Sequence, residues 1–349
     1  MTLHNNTPTV VITGASSGIG RATAHAFARR GAHIVLAARR AEMLEDAARE
    51  CISLGGTALA VPTDVTQEGQ VEALGRRALE HSGWIDVWFN NAGVGVFGRL
   101  DSVPMEAWHR VIETNLFGYV HGAKVAMRQF REQGRGVLVQ NASIVGRTAK
   151  PDGTAYATSK FAIRGLSEAL RQEVLDQPDI QICTVLPSVI DTPFFQHAAN
   201  FSGCQVQAAP PVYTADEVAE TVVALVEQPQ AELIVGGFGK IVAAQKRLAP
   251  GFTTWLTGRT LHRGFLSEEP SGDTNGALFE PIEDGRAVDG GWRATPDSAG
   301  AQLAALTSMA ALPLDMADVW FRMADVSLTA SFRLLEAVVP AVRPGPVSK

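Results

Sequence analysis

The chain has 349 residues, 46% of them hydrophobic, enough for a sizeable core in one large α/β domain or in two domains. Its formal net charge of −6 provides no overall positive field for a nucleic-acid backbone, so we expect no nucleic-acid partner. Three scattered cysteines, Cys51, Cys183 and Cys204, lack metal-ligand spacing. With no secretory signal pattern and no apolar run of ~18 residues, these features predict a cytoplasmic protein without a metal site.

The first 238 residues alternate short apolar runs with helical stretches. TVVITG (9–14) predicts a buried strand, and residues 18–31 predict a helix that Gly31 closes. The next strand is predicted at 33–38 and the next helix at 41–55, and further strand patterns lie at 58–65, 85–93, 136–143, 180–188 and 231–237. Apolar strands joined by helical crossovers predict a Rossmann-like, doubly wound parallel sheet with helices on both faces. In such sheets ligands bind at the carboxyl ends of the strands.

A glycine-rich turn, TGASSGIG (13–20), follows the first predicted strand. Gly14, Gly18 and Gly20 permit a tight turn and open a helix whose free N–H groups attract phosphate. Their spacing differs from the usual G-x-G-x-x-G pattern, but the position after a strand indicates a dinucleotide site.

The second predicted strand ends in LAARR (36–40), where an acidic residue would bind the ribose 2′-hydroxyl of NAD. Ala37 and Ala38 stand there instead, followed by Arg39 and Arg40. Two guanidiniums without a carboxylate suit a 2′-phosphate, so the sequence favours NADP(H) over NAD(H). The alternative is that both arginines only begin a solvated helix.

Tyr156 and Lys160 are four residues apart, a spacing that places them on the same face of a helix. Tyrosine is a weak acid–base catalyst at its ordinary pKa of about 10. A neighbouring ammonium would lower that pKa toward the working pH, so we expect Lys160 to activate Tyr156. Alone, the pair could equally lie on a solvated surface.

Four motifs in order, TGASSGIG, NNAG (90–93), NAS (141–143) and YATSK (156–160), resemble the classical short-chain dehydrogenase/reductase family. The resemblance runs from about residue 8 to residue 238. It implies a catalytic tetrad of Asn115, Ser143, Tyr156 and Lys160. In it Ser143 would bind the substrate oxygen, Asn115 would bind a water that links Lys160 to solvent, and Lys160 would also hold the nicotinamide ribose.

The resemblance and the strand-end residues also imply a cofactor site. In the segment PSVIDTPF (187–194), Thr192 of the family's P-G-x-x-x-T stretch is kept, whereas Ser188 replaces the usual glycine. The implied cofactor-binding residues are Gly14, Ser16, Ser17, Gly18, Ile19, Gly20, Arg39, Arg40, Asp64, Val65, Asn91, Ala92, Gly93, Tyr156, Lys160, Pro187, Val189 and Thr192.

The predicted substrate loops are apolar and contain no obvious arginine that would bind a carboxylate or a phosphate. They supply Val94, Val96, Phe97, Ile144, Val145, Phe194, Phe195 and Phe201, and we expect Ser143, Val145, Tyr156 and Phe194 to contact the substrate. This composition predicts an NADP(H)-dependent oxidoreductase for a hydrophobic alcohol and its aldehyde or ketone. The alternative is a catalytically silent NAD(P)-binding regulator or scaffold, which would be expected to have a broken tetrad.

Residues 239–349 lie beyond the family resemblance. Residues 239–266 mix bases such as Lys246, Arg247 and Arg263 with apolar residues, which suits either a peripheral contact with an anionic membrane or packing on the core or a second subunit. Residues 267–300 predict an irregular or disordered linker, and residues 301–349 predict a helical tail with helices near 302–312 and 316–334. We expect a homo-oligomer, as is common in the family.

Overall fold

The computed structural model describes residues 7–282, 285 and 287–293. Its strands are β1 (Thr9–Thr13), β2 (His33–Ala38), β3 (Thr57–Pro62), β4 (Val87–Asn90), β5 (Val96–Phe97), β6 (Gly136–Asn141), β7 (Ile180–Pro187), β8 (Val189–Ile190), β9 (Ala199–Asn200), β10 (Cys204–Val206), β11 (Val212–Tyr213), β12 (Glu232–Val235) and β13 (Leu266–Pro270). Its α-helices are α1 (Gly18–Ala28), α2 (Ala41–Ser53), α3 (Glu68–Ser82), α4 (Met105–Ile112), α5 (Gly118–Gln133), α6 (Thr154–Glu173), α7 (Phe194–His197), α8 (Ala215–Glu227), α9 (Gly237–Leu248) and α10 (Pro250–Phe265).

Seven strands form the central sheet in the order β12-β7-β6-β4-β1-β2-β3, and every pairing in it is parallel. All seven predicted strands are present, and the predicted Rossmann-like α/β architecture is confirmed. The strand order reverses at β1 and β4, so their carboxyl ends open a crevice for a ligand.

Alternating side chains of β1 build a hydrophobic core on each face of the sheet. Val10 and Ile12 belong to the cluster that contains residues of α1 and α8. Val11 belongs to the opposite cluster, which includes Trp88 and Phe130. Because both faces are covered, the strands are apolar throughout, and they give the continuous runs seen in the sequence.

The C-terminal region packs on the substrate side of the domain. α9 and α10 form a helix pair, and β13 pairs antiparallel with β10. The segment predicted to be irregular from 267 onward therefore begins with a strand, because β10 supplies a partner edge that local composition does not reveal. The helices predicted near 302–312 and 316–334 lie outside the described residues.

Within the described residues, no helix is long and apolar enough to cross a membrane. That part of the chain also has no group of three or more His, Cys, Asp or Glu side chains that could hold a metal ion.

Candidate active site

The glycine-rich turn connects β1 to α1 and touches the end of β4. Gly14 has a φ of 68°, and a Cβ there would lie 2.7 Å from Ala92 Cα, so only glycine fits. A Cβ on Gly20 would lie 2.2 Å from the Gly14 carbonyl oxygen. Gly20 therefore packs against the backbone of the turn. It does not line the cleft, although the sequence predicted that it would contact the cofactor.

Ser143, Tyr156 and Lys160 meet in the cleft where β6 ends and α6 begins. The Ser143 side chain lies close enough to the Tyr156 phenol to lower its pKa. Lys160 Nζ donates a 2.7 Å hydrogen bond to the Asn141 carbonyl and lies 5.5 Å from the centroid of the Tyr156 ring. The structure thus brings together three of the four predicted catalytic residues.

The pKa of the tyrosine moves against the sequence-based expectation. Although part of the ring is accessible from the cleft, desolvation raises the pKa of Tyr156 to about 12, and Ser143 only partly opposes the rise. Burial also lowers the pKa of Lys160 to about 7, which weakens the positive charge that was expected to act on the phenol. The expected lowering by Lys160 is therefore not seen in this structure, where burial sets the direction of the shift.

Asn115 is fully buried in a π-helical turn, Glu113–Phe117, between α4 and α5. Its Oδ1 accepts a 2.8 Å hydrogen bond from the Val94 N–H, and its Nδ2 donates to the Val94 carbonyl and to Ser159 Oγ. The side chain therefore fixes the loop after β4 and does not line the cleft. A Cβ built on Gly93 would lie 3.5 Å from Asn115 Oδ1 and 3.9 Å from Lys160 Nζ, so Asn115 is still close to the lysine.

The rest of the predicted cofactor site converges on one cleft. The predicted residues that line it are Gly14, Ser16, Ser17, Gly18, Ile19, Arg39, Arg40, Asp64, Val65, Asn91, Ala92, Gly93, Tyr156, Lys160, Pro187, Val189 and Thr192. Glycine backbone, a helix N-terminus and two guanidiniums are donors that suit a phosphorylated dinucleotide. The donor set therefore fits NADP(H).

Ser188 occupies its unusual position without disturbing the strand end. Its Oγ donates a 2.7 Å hydrogen bond to the Val235 carbonyl, and its N–H donates to the same oxygen. A Cβ on Gly239 would lie 2.4 Å from Ser188 Oγ. Ser188 stands where the family usually has a glycine, and Gly239 on α9 leaves room for its hydroxyl.

A segment that the sequence did not connect with the cofactor, residues 277–282, lies along its adenosine end. Arg39 donates hydrogen bonds to the carbonyls of Ala277, Leu278 and Phe279. Arg40 donates to the Ile282 carbonyl and to the hydroxyls of Ser16 and Ser17. The guanidiniums predicted for the 2′-phosphate are therefore already bonded to this chain's own backbone.

Arg110 joins the same cluster and was missed by the sequence analysis. It donates to Asp64 Oδ2 at 3.1 Å, to Thr66 Oγ1 and to the Leu278 carbonyl. Burial alone would raise the pKa of Asp64, but hydrogen bonds from Thr66 and Arg110 bring it below its ordinary value. The predicted cofactor-binding residue Asp64 is thus an ionised group, and no local pattern links it to Arg110, which is 46 residues away.

The described chain beyond residue 286 returns to the opposite end of the cleft. The Gly18 N–H donates to the Ala287 carbonyl, and the N–H groups of Gly290 and Trp292 both donate to Asp191 Oδ1. The Trp292 indole donates to the Thr192 carbonyl and packs edge-on against Phe195. Residues 287–293 therefore contact both the phosphate-binding turn and the predicted nicotinamide end.

Aromatic side chains dominate the substrate end. Of the predicted apolar residues, Val94, Val96, Phe97, Ile144, Val145, Phe194 and Phe195 line the cleft. Phe201 does not, because it packs with Val103 and Val111 in a separate cluster. Leu261 and Phe265 of α10 also line the cleft, as does one buried cation, Lys150, and none of the three was predicted from the sequence.

The family model for short-chain dehydrogenases matches residues 8–202. The chain belongs to this family. It is 33% identical over 265 residues to the uncharacterized oxidoreductase YxnA of Bacillus subtilis, covering 75% of this chain and 74% of that protein. It is also 33% identical to the uncharacterized oxidoreductase Lmo0432 of Listeria monocytogenes, covering 66% of this chain and 94% of the relative. This short-chain dehydrogenase is an oxidoreductase of the class that acts on CH–OH groups with NAD(P).

Two solved structures resemble the dehydrogenase closely. One is an alcohol dehydrogenase from Thermococcus sibiricus in complex with 5-hydroxy-NADP, with 32% identity, a TM-score of 0.58 and coverage of 66% of this chain and 96% of that one. The other is a 3-ketoacyl-ACP reductase from Sinorhizobium meliloti, with 29% identity, a TM-score of 0.58 and coverage of 67% and 100%.

Proposed function

We propose that this dehydrogenase interconverts a hydrophobic alcohol and its aldehyde or ketone, with NADP(H) as cofactor and Tyr156 as general acid and base. One observation carries the proposal: Tyr156, with Ser143 beside it in the cleft, stands between the predicted dinucleotide site and an aromatic pocket. The Phe194 ring lies 5.4 Å from the Tyr156 ring and begins the apolar wall. A reacting carbonyl would meet both a proton donor and an apolar surface there.

NADP(H) is supported by Arg39 and Arg40 at the end of β2 and by the absence of an acidic residue at Ala37 or Ala38. The similar alcohol dehydrogenase that was solved with an NADP derivative supports the same choice. When bound, the reduced cofactor supplies the hydride. The residues of this chain then need to orient the carbonyl and deliver a proton.

Ser143 and Tyr156 divide that work. Ser143 Oγ accepts a 3.1 Å hydrogen bond from the Val145 N–H, which fixes the hydroxyl so that it can bind the substrate oxygen. The Tyr156 phenol, which carries its proton at neutral pH, can donate it to the alkoxide that develops during carbonyl reduction. Lys160, tied to the Asn141 carbonyl, would hold the nicotinamide ribose beside them.

Tyr156→Phe tests the proposal directly. NADPH oxidation should be followed with a panel of hydrophobic aldehydes and ketones, and cofactor binding should be followed by NADPH fluorescence. We expect turnover to fall by ~10²–10⁴-fold with cofactor binding retained, because only the proton donor is lost. Tyr213→Phe is the matched control, since that hydroxyl accepts from the Phe238 N–H away from the tetrad. Retention of more than a tenth of the activity would exclude Tyr156 as the proton donor. Cofactor binding by the wild type without turnover of any compound in the panel would favour the silent cofactor-binding protein.

For the basic helices we propose a packing and assembly role within a cytoplasmic homo-oligomer. Phe252 and Thr257 are buried, and Phe265 packs against Phe97 and Phe195, which supports the packing role. All three cysteines are free thiols, which supports the cytoplasmic location. Trp255 and Leu248 remain exposed, which leaves an apolar outer face for a second copy. Sedimentation should show the oligomer, and salt-sensitive binding of the full chain to anionic vesicles would instead support peripheral membrane contact.

A further inference from the structure

The substrate end of the cleft contains a second buried amine that the proposed chemistry does not use. Lys150 lies in the loop between the turn at Ile144–Gly146 and α6, and only 8% of the residue is exposed. It lines the same cleft as Tyr156. A lysine this deeply buried needs a compensating interaction, because the charged form loses its hydration.

Aromatic rings surround the ammonium. Lys150 Nζ lies 4.3 Å from the centroid of the Phe97 ring and 4.6 Å from that of the Phe265 ring. Both rings contact Phe195, which contacts Phe194, and Phe194 contacts Tyr156. A row of phenylalanines therefore separates the proton donor at one end from a cation at the other.

The protein satisfies this cation only in part. An ammonium carries three N–H donors, and the hydrogen bond to a carbonyl, that of Pro151, is long at 3.4 Å. Asp152 favours the protonated form through its charge, yet burial still lowers the pKa of Lys150 to about 8. Within the described chain no ion pair engages the Lys150 ammonium. A donor remains for a group that enters the cleft.

We infer that Lys150 is a specificity residue that binds a carboxylate at the far end of the substrate, so that the preferred substrates are oxo- or hydroxy-acids with an apolar spacer. This inference rests on the proposed function. A single cation in an aromatic pocket matches one negative charge better than a phosphate, which carries about two. The phenylalanine row is the surface on which the spacer would lie.

Binding without turnover provides the first test. Thermal shifts should be measured for the full chain with butanoate, hexanoate and octanoate and with the corresponding amides. We expect the longer carboxylates to bind at least about tenfold more tightly than their amides, because a hydrogen bond to a charged group exceeds one to a neutral group. Lys150→Met, which keeps the length of the side chain and removes its charge, should abolish the difference, whereas Lys240→Met on the exposed face of α9 should preserve it.

Turnover provides the second test. The values of kcat/KM should be compared for an oxo-fatty acid and its methyl ester. We expect the acid-to-ester ratio to be about ten or more in the wild type and near one in Lys150→Met. The change should arise in KM. If Lys150→Met fails to fold, the wild-type ratio alone decides, together with its decline above pH 8 as the amine loses its proton. Reduction of the ester in preference to the acid, or equal binding of acids and amides, overturns the role of Lys150 and leaves the proposed function standing. If no carbonyl compound is reduced while carboxylates bind selectively, the proposed function fails and the anion site stands.

Discussion

The Arg39 guanidinium donates a 2.9 Å hydrogen bond to the backbone carbonyl of Phe279, which lies 240 residues further along the chain. The carbonyls of Ala277 and Leu278 accept from the same guanidinium. These N–H groups are the ones that a 2′-phosphate would need. Residues 277–282 are therefore expected to compete with the phosphate of NADP(H) for Arg39.

Leu278→Ser should weaken that competition. Leu278 is 1% exposed and packs with Val96 and Ala107, so the polar replacement releases the segment from its apolar anchor. We expect NADPH to bind up to about tenfold more tightly, since one net hydrogen bond is worth about 0.5–1.5 kcal/mol. NADH affinity should change little because NADH has no 2′-phosphate.

Fluorescence titration with both cofactors checks this expectation. Leu100→Ser, at a leucine that is 62% exposed, is the matched control and should leave both affinities unchanged. Loss of NADPH affinity in Leu278→Ser, in a protein that still melts cooperatively, would show that the segment helps to hold the cofactor.

The double variant Ala38→Asp with Arg39→Ala should reverse the cofactor preference toward NADH. The aspartate supplies an acceptor for the ribose hydroxyl and repels a phosphate, while the second change removes a phosphate donor. We expect the ratio of kcat/KM for NADPH to that for NADH to fall by at least about a hundredfold, given about 1.5–3 kcal/mol for each charge-assisted hydrogen bond. A double variant that still prefers NADPH would rule out Arg39 as the discriminating residue, and Arg39→Ala alone separates the two contributions.

Ser188 and Gly239 should behave as a coupled pair. Gly239→Ala places a methyl group 2.4 Å from Ser188 Oγ and should destabilise the wild-type protein by about 1–3 kcal/mol. In a Ser188→Gly background the nearest remaining atom is Ile234 Cγ2 at 3.1 Å, a milder contact than 2.4 Å, so the same change should cost less. Urea unfolding of the four proteins gives the coupling energy, and strictly additive costs would contradict the pairing.

The buried amine of Lys160 should make stability depend on pH. Its pKa is about 7 in the folded protein and about 10.4 when unfolded, so between these values the unfolded chain binds one more proton. The free energy of unfolding should therefore rise with pH, by up to about 1.4 kcal/mol per pH unit, from pH 7 toward pH 10. Lys160→Met should remove this part of the slope in urea titrations at pH 7, 8 and 9, and parallel profiles for the two proteins would contradict the assignment.

Local patterns were sufficient for the central sheet. Each of its seven strands is a short apolar run because both faces of a parallel sheet are covered, so these strands could be recognised without their neighbours. The glycine-rich turn and the Tyr156 and Lys160 pair are encoded within single turns of chain. The roles proposed for them rest on spacing that the fold preserves.

What only the tertiary structure decided depends on contacts between distant residues. The strand pairing of Leu266–Pro270, the bonds from Arg39 to residues 277–279 and the aromatic enclosure of Lys150 all join segments that no periodicity links. The direction of the Tyr156 pKa shift also depends on burial, to which several elements contribute. Sequence spacing specifies which groups are near each other along one helix, whereas desolvation and long-range hydrogen bonds arise only when the whole chain packs.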